Sequence, residues 1–171
     1  ISQYADVITS AVKLKVKSLG FENVKLIIEP GRAIVGRAGV ALYTVGAIKD
    51  IPGVRKYVSV DGGMGDNIRP ALYQARYEAV AANKMLEKND GPVTIAGKFC
   101  ESGDILVRDA QMPTLRQSDL IAIPASGAYC PSMASNYNLA PRPPIILVDN
   151  GSARVLRRRE TYEDLMALDT R

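Results

Sequence analysis

Histidine is absent from the 171-residue chain, and the only cysteines are Cys100 and Cys130, far apart. Without imidazole there is no His-based catalytic triad and none of the usual zinc spacings, so acid–base chemistry falls to Cys, Tyr, Lys and carboxylates, and no metal site is expected. Long apolar runs are missing too, as is a basic-then-apolar leader, so the chain reads as cytoplasmic with no membrane partner. Clustered basic charge is scarce: apart from Arg157-Arg158-Arg159 the cations behind the net charge of +4 are scattered, and no aromatic residues alternate with them. Nucleic acid is therefore not an expected partner, and the excess suits a small anionic ligand or a solvated face.

What is present is an apolar share of 47%, enough for the core of one domain or two small ones. Ile1 to Leu19 has helical spacing, with Tyr4, Val7, Ile8, Ala11, Val12, Leu14 and Val16 on much of one side and Gly20 as a C-terminal stop. Val24 to Ile28 is short and rich in β-branched residues, as a buried strand is, and Glu29-Pro30-Gly31-Arg32 ends it before a small-apolar segment restarts at Ala33. A strand emptying into a helical turn leaves the N–H groups of Gly31, Arg32 and Ala33 without intrahelical acceptors, and a glycine there lets an anion approach; the plain alternative is a turn. A helix followed by a strand is the last step of an alternating α/β pattern, so the chain is expected to be the tail of something longer.

From Gly39 the pattern changes to strands joined by short turns: Val40–Ile48, Val54–Val60, Val93–Phe99, Ile105–Val107, Asp119–Pro124, Ile145–Val148 and Ala153–Leu156. That predicts an antiparallel β-sandwich or barrel over residues 39–171, after an α/β fragment over 1–38. Asp149-Asn150-Gly151 predicts a hairpin turn, and Thr161 a cap for a short closing helix packed through Leu165, Met166 and Leu168.

Four strings between these strands have chemical potential. Asp61-Gly62-Gly63-Met64-Gly65-Asp66-Asn67 fits no nucleotide-binding template and predicts a tight loop against a ligand or another backbone. Pro70 can begin a short helix on which Arg69 and Tyr73 share a face, either to hold a carboxylate or as an ordinary surface pair. Cys100 beside Glu101 at a strand exit can donate a proton and hold an ammonium, or be a structural Cys before a turn. Tyr129, following Gly127 and Ala128, is placed to hydrogen-bond a ligand or to end a strand as a core aromatic.

Five segments, in order, resemble the diaminopimelate decarboxylases: Glu29-Pro30-Gly31-Arg32; Asp61-Gly62-Gly63-Met64 with Arg69-Pro70-Ala71-Leu72-Tyr73; Cys100-Glu101-Ser102-Gly103-Asp104; Gly127-Ala128-Tyr129; and Arg159-Glu160-Thr161-Tyr162-Glu163-Asp164. The resemblance runs from Val24 onward and implies an alanine-racemase-like pyridoxal-phosphate enzyme, in which residues 1–38 are the last helix and strand of a (β/α)8 barrel and 39–171 the C-terminal β domain. It implies that Glu29, Pro30, Gly31 and Arg32 form the loop for the cofactor phosphate, with Arg32 also reaching a substrate carboxylate. Arg69 and Tyr73 would bind substrate, and Tyr129 would touch both cofactor and substrate. By the same resemblance Cys100 is the proton donor and Glu101 the ligand of the distal amino group, both serving the neighbouring subunit's site in a homodimer. The implied reaction is decarboxylation of meso-2,6-diaminopimelate to L-lysine and carbon dioxide, the last step of lysine biosynthesis. In that family the cofactor lysine lies in the upstream barrel, so the barrel portion is an implied partner and this chain alone is expected to be inactive. The alternatives are a related decarboxylase acting on ornithine, arginine or a carboxylated polyamine, which Glu101 after Cys100 argues against, and a non-catalytic β assembly module.

Overall fold

Alternating residues from Ala41 onward send Tyr43 and Val45 to one side of a strand and leave Leu42 on the other, the period of two that a sheet buried on one face requires. The computed structural model describes residues 2–170. Six strands form one sheet: β1 (Ala41–Ile51), β2 (Arg55–Val60), β3 (Val80–Ala81), β4 (Gly91–Ala96), β5 (Ile105–Met112) and β6 (Leu120–Ile123), in the order β3-β6-β1-β2-β4-β5. The edge strands β3 and β5 approach each other, so the sheet curls into a nearly closed barrel. Its interior holds Tyr43, Val45, Val58, Val60, Ile95, Leu106, Met112, Ile121 and Ile123.

The expected antiparallel barrel is corrected at one pairing, since β2 runs parallel to β4, Tyr57 opposite Thr94 and Ser59 opposite Ala96. A parallel neighbour needs a long crossover, and residues 61–90 supply it by carrying the glycine loop, the Arg69 helix and β3 between the two strands. Within β1 the register slips between Val45 and Ile48. There Gly46 leaves room for the Ser59 hydroxyl, which accepts a hydrogen bond from the Ala47 N–H at 2.8 Å and so pairs the bulge.

A separate two-stranded ribbon, β7 (Ile145–Asp149) and β8 (Ser152–Arg157), turns at Asn150 and Gly151, both with positive φ as a two-residue hairpin turn demands. The chain opens with a 17-residue helix, α1 (Ser2–Ser18), and single-turn helices punctuate the rest: α2 (Arg32–Val35), α3 (Arg69–Tyr73), α4 (Cys130–Met133) and α5 (Tyr162–Leu165). α5 opens with a capping box in which Thr161 and Asp164 bond each other's backbone N–H.

Three packing expectations are corrected. Val24 to Ile28 forms no strand, because no other described segment offers it a ladder, and Val24, Leu26, Ile27 and Ile28 are exposed. No residue of α1 is buried. The closing helix is likewise only half-packed, for Leu165 is partly covered while Met166 and Leu168 face outward. Among the described residues no helix is long and apolar enough to cross a membrane.

Candidate functional site

The site begins where α2 starts. Gly31 is the residue before its first turn, and the segment Ser126–Tyr129 is laid directly on the backbone of residues 35–39. The Ser126 N–H donates to the Gly39 carbonyl at 2.9 Å and the Gly127 N–H to the Gly36 carbonyl at 3.0 Å. This approach requires glycine on both sides, since a methyl on Gly127 would run into the Val35 carbonyl oxygen and one on Gly39 into the Gly127 backbone. Tyr129 follows with a left-handed φ of 66°, which turns the chain into α4 and aims the phenol at Gly31.

α3 brings the third segment. Its Arg69 guanidinium carbon lies 5.3 Å from the Tyr73 ring centroid and 5.2 Å from that of Tyr129, so a planar cation stands between two aromatic rings. Arg69 Nε is buried and has no hydrogen-bond partner among the described residues. An unpaired buried donor carries a desolvation cost that an anionic ligand would relieve. Beside this group, the Tyr77 hydroxyl is 3.5 Å from Cys130 Sγ; burial and that thiol push the phenol up, while the Arg32 guanidinium opposes them. Tyr77 escapes sequence reasoning, because one tyrosine after the α3 turn has no spacing signal of its own.

The second group is the corner after β4. Cys100 and Glu101 are exposed there, and the side-chain bonds of Glu101 run to Ser102, Gly103 and the Tyr137 hydroxyl, the last at 3.5 Å. Tyr137 is held by its ring packing on Phe99, 5.6 Å between centroids. It too escapes sequence reasoning, which places 133–138 as loop or short helix without a role. The corner sits next to α3, with Ala71 Cβ 3.8 Å from where a Gly103 Cβ would be. Gly31, Arg69, Tyr73 and Tyr129 thus form one cluster with Arg32 at its side, whereas no hydrogen bond among the described residues joins Cys100 or Glu101 to it. Glu29 is exposed and Pro30 partly covered at the loop's entrance.

The arrangement suits an anionic, phosphate- or carboxylate-bearing ligand: a glycine that admits close approach, a phenol above it and an arginine with a free donor. Pyridoxal phosphate has those requirements at its phosphate, and an amino-acid substrate has them at its carboxylate.

Comparison with known proteins gives a consistent result. Residues 5–127 match the family model described as pyridoxal-dependent decarboxylase, C-terminal sheet domain. The diaminopimelate decarboxylase of Bacillus subtilis is 54% identical over 168 residues, covering 98% of this chain and 38% of that protein. That of Mycobacterium tuberculosis is 44% identical over 176 residues. Among solved structures, diaminopimelate decarboxylase from M. jannaschii in co-complex with L-lysine superposes with a TM-score of 0.85 at 41% identity, covering 98% of this chain and 37% of that one. A lysine/ornithine decarboxylase from Vibrio vulnificus, at 24% identity and a TM-score of 0.57, shares the fold. The chain therefore spans under two-fifths of the length of the relatives it matches.

Proposed function

The chain belongs to the family of pyridoxal-dependent decarboxylases, as their C-terminal sheet domain, and from that premise we propose that it works as the C-terminal portion of a diaminopimelate decarboxylase. The enzyme converts meso-2,6-diaminopimelate to L-lysine and carbon dioxide in the cytoplasm. Residues 1–38 close a (β/α)8 barrel and 39–171 form the β domain. The observation that carries this reading is the Arg69 guanidinium held between Tyr73 and Tyr129, with Tyr129 against Gly31, because it unites three segments distant in sequence around one anion-ready space.

In this reading Glu29, Pro30, Gly31 and Arg32 with Tyr129 would hold the cofactor, its phosphate meeting the backbone N–H groups that open α2 beside the phenol packed on Gly31. Pyridoxal phosphate, when bound, supplies the electron sink for the charge left by departing carbon dioxide. Arg32 and Arg69 orient the substrate carboxylates, and Tyr73 adds a donor. Cys100 returns a proton to the substrate carbon, and Glu101 pairs with the distal ammonium. Both belong to the partner's site in a homodimer, a reading supported by their exposure at the corner and by the absence, among the described residues, of a hydrogen bond from either to the Arg69 cluster. The barrel portion, carrying the cofactor lysine, completes each site. It also gives the exposed Val24–Ile28 segment its missing ladder.

The test is a substrate profile of the complete enzyme, this chain together with its barrel portion. Carbon dioxide release is expected from meso-diaminopimelate at least about 100-fold faster, by kcat/KM, than from ornithine or arginine, the discrimination that a built polar site supplies. A preference for a substrate without the distal carboxylate overturns the choice. Failure of the joined portions to develop the absorbance of lysine-bound cofactor favours a non-catalytic assembly module.

A further inference from the structure

Asp104 is the one charged residue of the Cys100–Asp104 string that is fully buried, at 3% exposure, and nothing in the reading above uses it. Its Oδ1 accepts the Met64 N–H at 2.6 Å and its Oδ2 the Phe99 N–H at 2.8 Å. One carboxylate therefore spans two loops distant in sequence. The space it fills is made by glycines: a methyl on Gly63 would meet Oδ1 at 2.5 Å, and one on Gly97 would collide with the same carboxylate. One backbone bond reinforces the join, the Lys98 N–H donating to the Gly62 carbonyl at 2.9 Å, while the corner itself is closed by the Gly97 N–H on the Asp104 carbonyl at 2.9 Å and the Asp104 N–H on the Glu101 carbonyl at 3.0 Å.

What the two loops carry gives this staple its meaning. The glycine loop runs straight into α3, which presents Arg69 and Tyr73; the other loop is the corner that presents Cys100 and Glu101. We infer that Asp104 is a positioning residue that holds the carboxylate-binding helix and the proton-donor corner at a fixed separation through the Met64 and Phe99 amides. This rests on the functional reading above for what the two loops do, while the staple itself is a matter of geometry. In a dimer with shared sites, each β domain would serve its own site through Arg69 and the partner's through Cys100. Asp104 is then the link that sets the two in register. A charged acceptor of two amides is needed because a neutral amide at this position would turn a donor toward one N–H.

The experiment is Asp104→Asn in the complete enzyme, read in two ways. Hydrogen exchange of the Met64 and Phe99 amides is expected to speed by about tenfold or more relative to Val58, in the core of β2, the size of effect that losing a charge-assisted hydrogen bond gives. The kcat is expected to fall by about tenfold or more while cofactor affinity stays within about twofold, since a shifted donor slows chemistry without touching the phosphate loop. Unchanged exchange at both amides overturns the inference, as does parallel loss of kcat and cofactor affinity. If Asp104→Asn does not fold, native-state exchange of the unaltered enzyme decides: a single staple requires the two amides to open with equal protection, and values more than about tenfold apart overturn it. Altered exchange in an enzyme that decarboxylates no diamino acid would leave the staple standing and reject the functional reading.

Discussion

A methyl group on Gly31 would lie 2.6 Å from the Tyr129 hydroxyl oxygen. The two residues sit against each other only because one of them has no side chain, and 98 positions of sequence separate them. Gly31 has an ordinary negative φ of −83°, so alanine would strain the contact and not the backbone. Gly31→Ala is expected to displace the phenol and weaken cofactor binding about tenfold or more, the affinity equivalent of the roughly 1–3 kcal/mol that overpacking costs. Adding Tyr129→Phe removes the offending oxygen and leaves the ring carbon at 3.4 Å, an ordinary contact. Gly31→Ala should therefore cost far less affinity on the Tyr129→Phe background than on the native one, as read in a fluorescence titration with pyridoxal phosphate. A single variant that binds normally would show that the two residues do not share the cofactor's space.

Cys100 and Cys130 offer an internal comparison, one exposed at the β4 corner and one buried beside Tyr77. Cys100→Ala in the complete enzyme is expected to slow product formation by about 100-fold or more, the scale of a lost general acid, with cofactor affinity within about twofold of normal. Cys130→Ala removes a buried thiol and should lower the melting temperature instead. Equal loss of turnover and cofactor binding at Cys100 would make it a structural residue.

The sequence displayed most strands through apolar, largely β-branched runs bounded by turn residues, and β1, β2, β4 and β6 of the barrel and β7 and β8 of the ribbon lie within a few residues of the expected runs, whereas β5 extends to Met112 and the two-residue β3 has no pattern of its own. It could not display which strands are neighbours. The parallel pairing of β2 with β4 depends on how the segment between them crosses over, and local pattern carries no trace of that. Val24 to Ile28 reads as a strand for a sound reason, since its composition is that of a buried one, yet a ladder needs a partner and none is described. At the site, Arg69 and Tyr73 were legible through their spacing of four on a helix begun by Pro70. Tyr77, Tyr137 and the Asp104 staple were not, because each acts through a contact formed only when distant loops meet.

The β7–β8 turn gives a stability test that is independent of catalysis. Asn150 and Gly151 have φ values of 47° and 77°, and a Cβ on Gly151 would meet nothing within 4 Å. The cost of Gly151→Ala is thus conformational, about 1 kcal/mol in urea unfolding for a non-glycine residue held in the left-handed region. Gly151→Asn should cost less, because asparagine tolerates that region better. Equal midpoints for all three proteins would mean that the ribbon does not contribute to cooperative folding.

Glu160 joins the end of the chain to the loop that carries Tyr137. Its Oε2 accepts the Arg142 N–H at 2.8 Å and the Asn136 amide at 2.6 Å, and its Oε1 accepts Arg142 Nε at 2.6 Å in an ion pair completed by Nη2. The Arg142 side chain, then its backbone N–H, hold the carboxyl down to about 2 from its ordinary 4.5. A group whose folded pKa is depressed stabilises the fold fully above its unfolded value and loses that contribution as pH falls through the folded one. The window is therefore between about 4.5 and about 2. Burial raises Asp66 and Asp104, which act with the opposite sign, so the informative quantity is the difference between the protein and Glu160→Gln. At neutral pH that variant should be less stable by about 1–3 kcal/mol, the range for hydrogen bonds to a charged group. The two stability curves should converge as the solution is acidified through the window. Curves that stay parallel down to the lower end would show that the Arg142–Glu160 pair does not stabilise the fold.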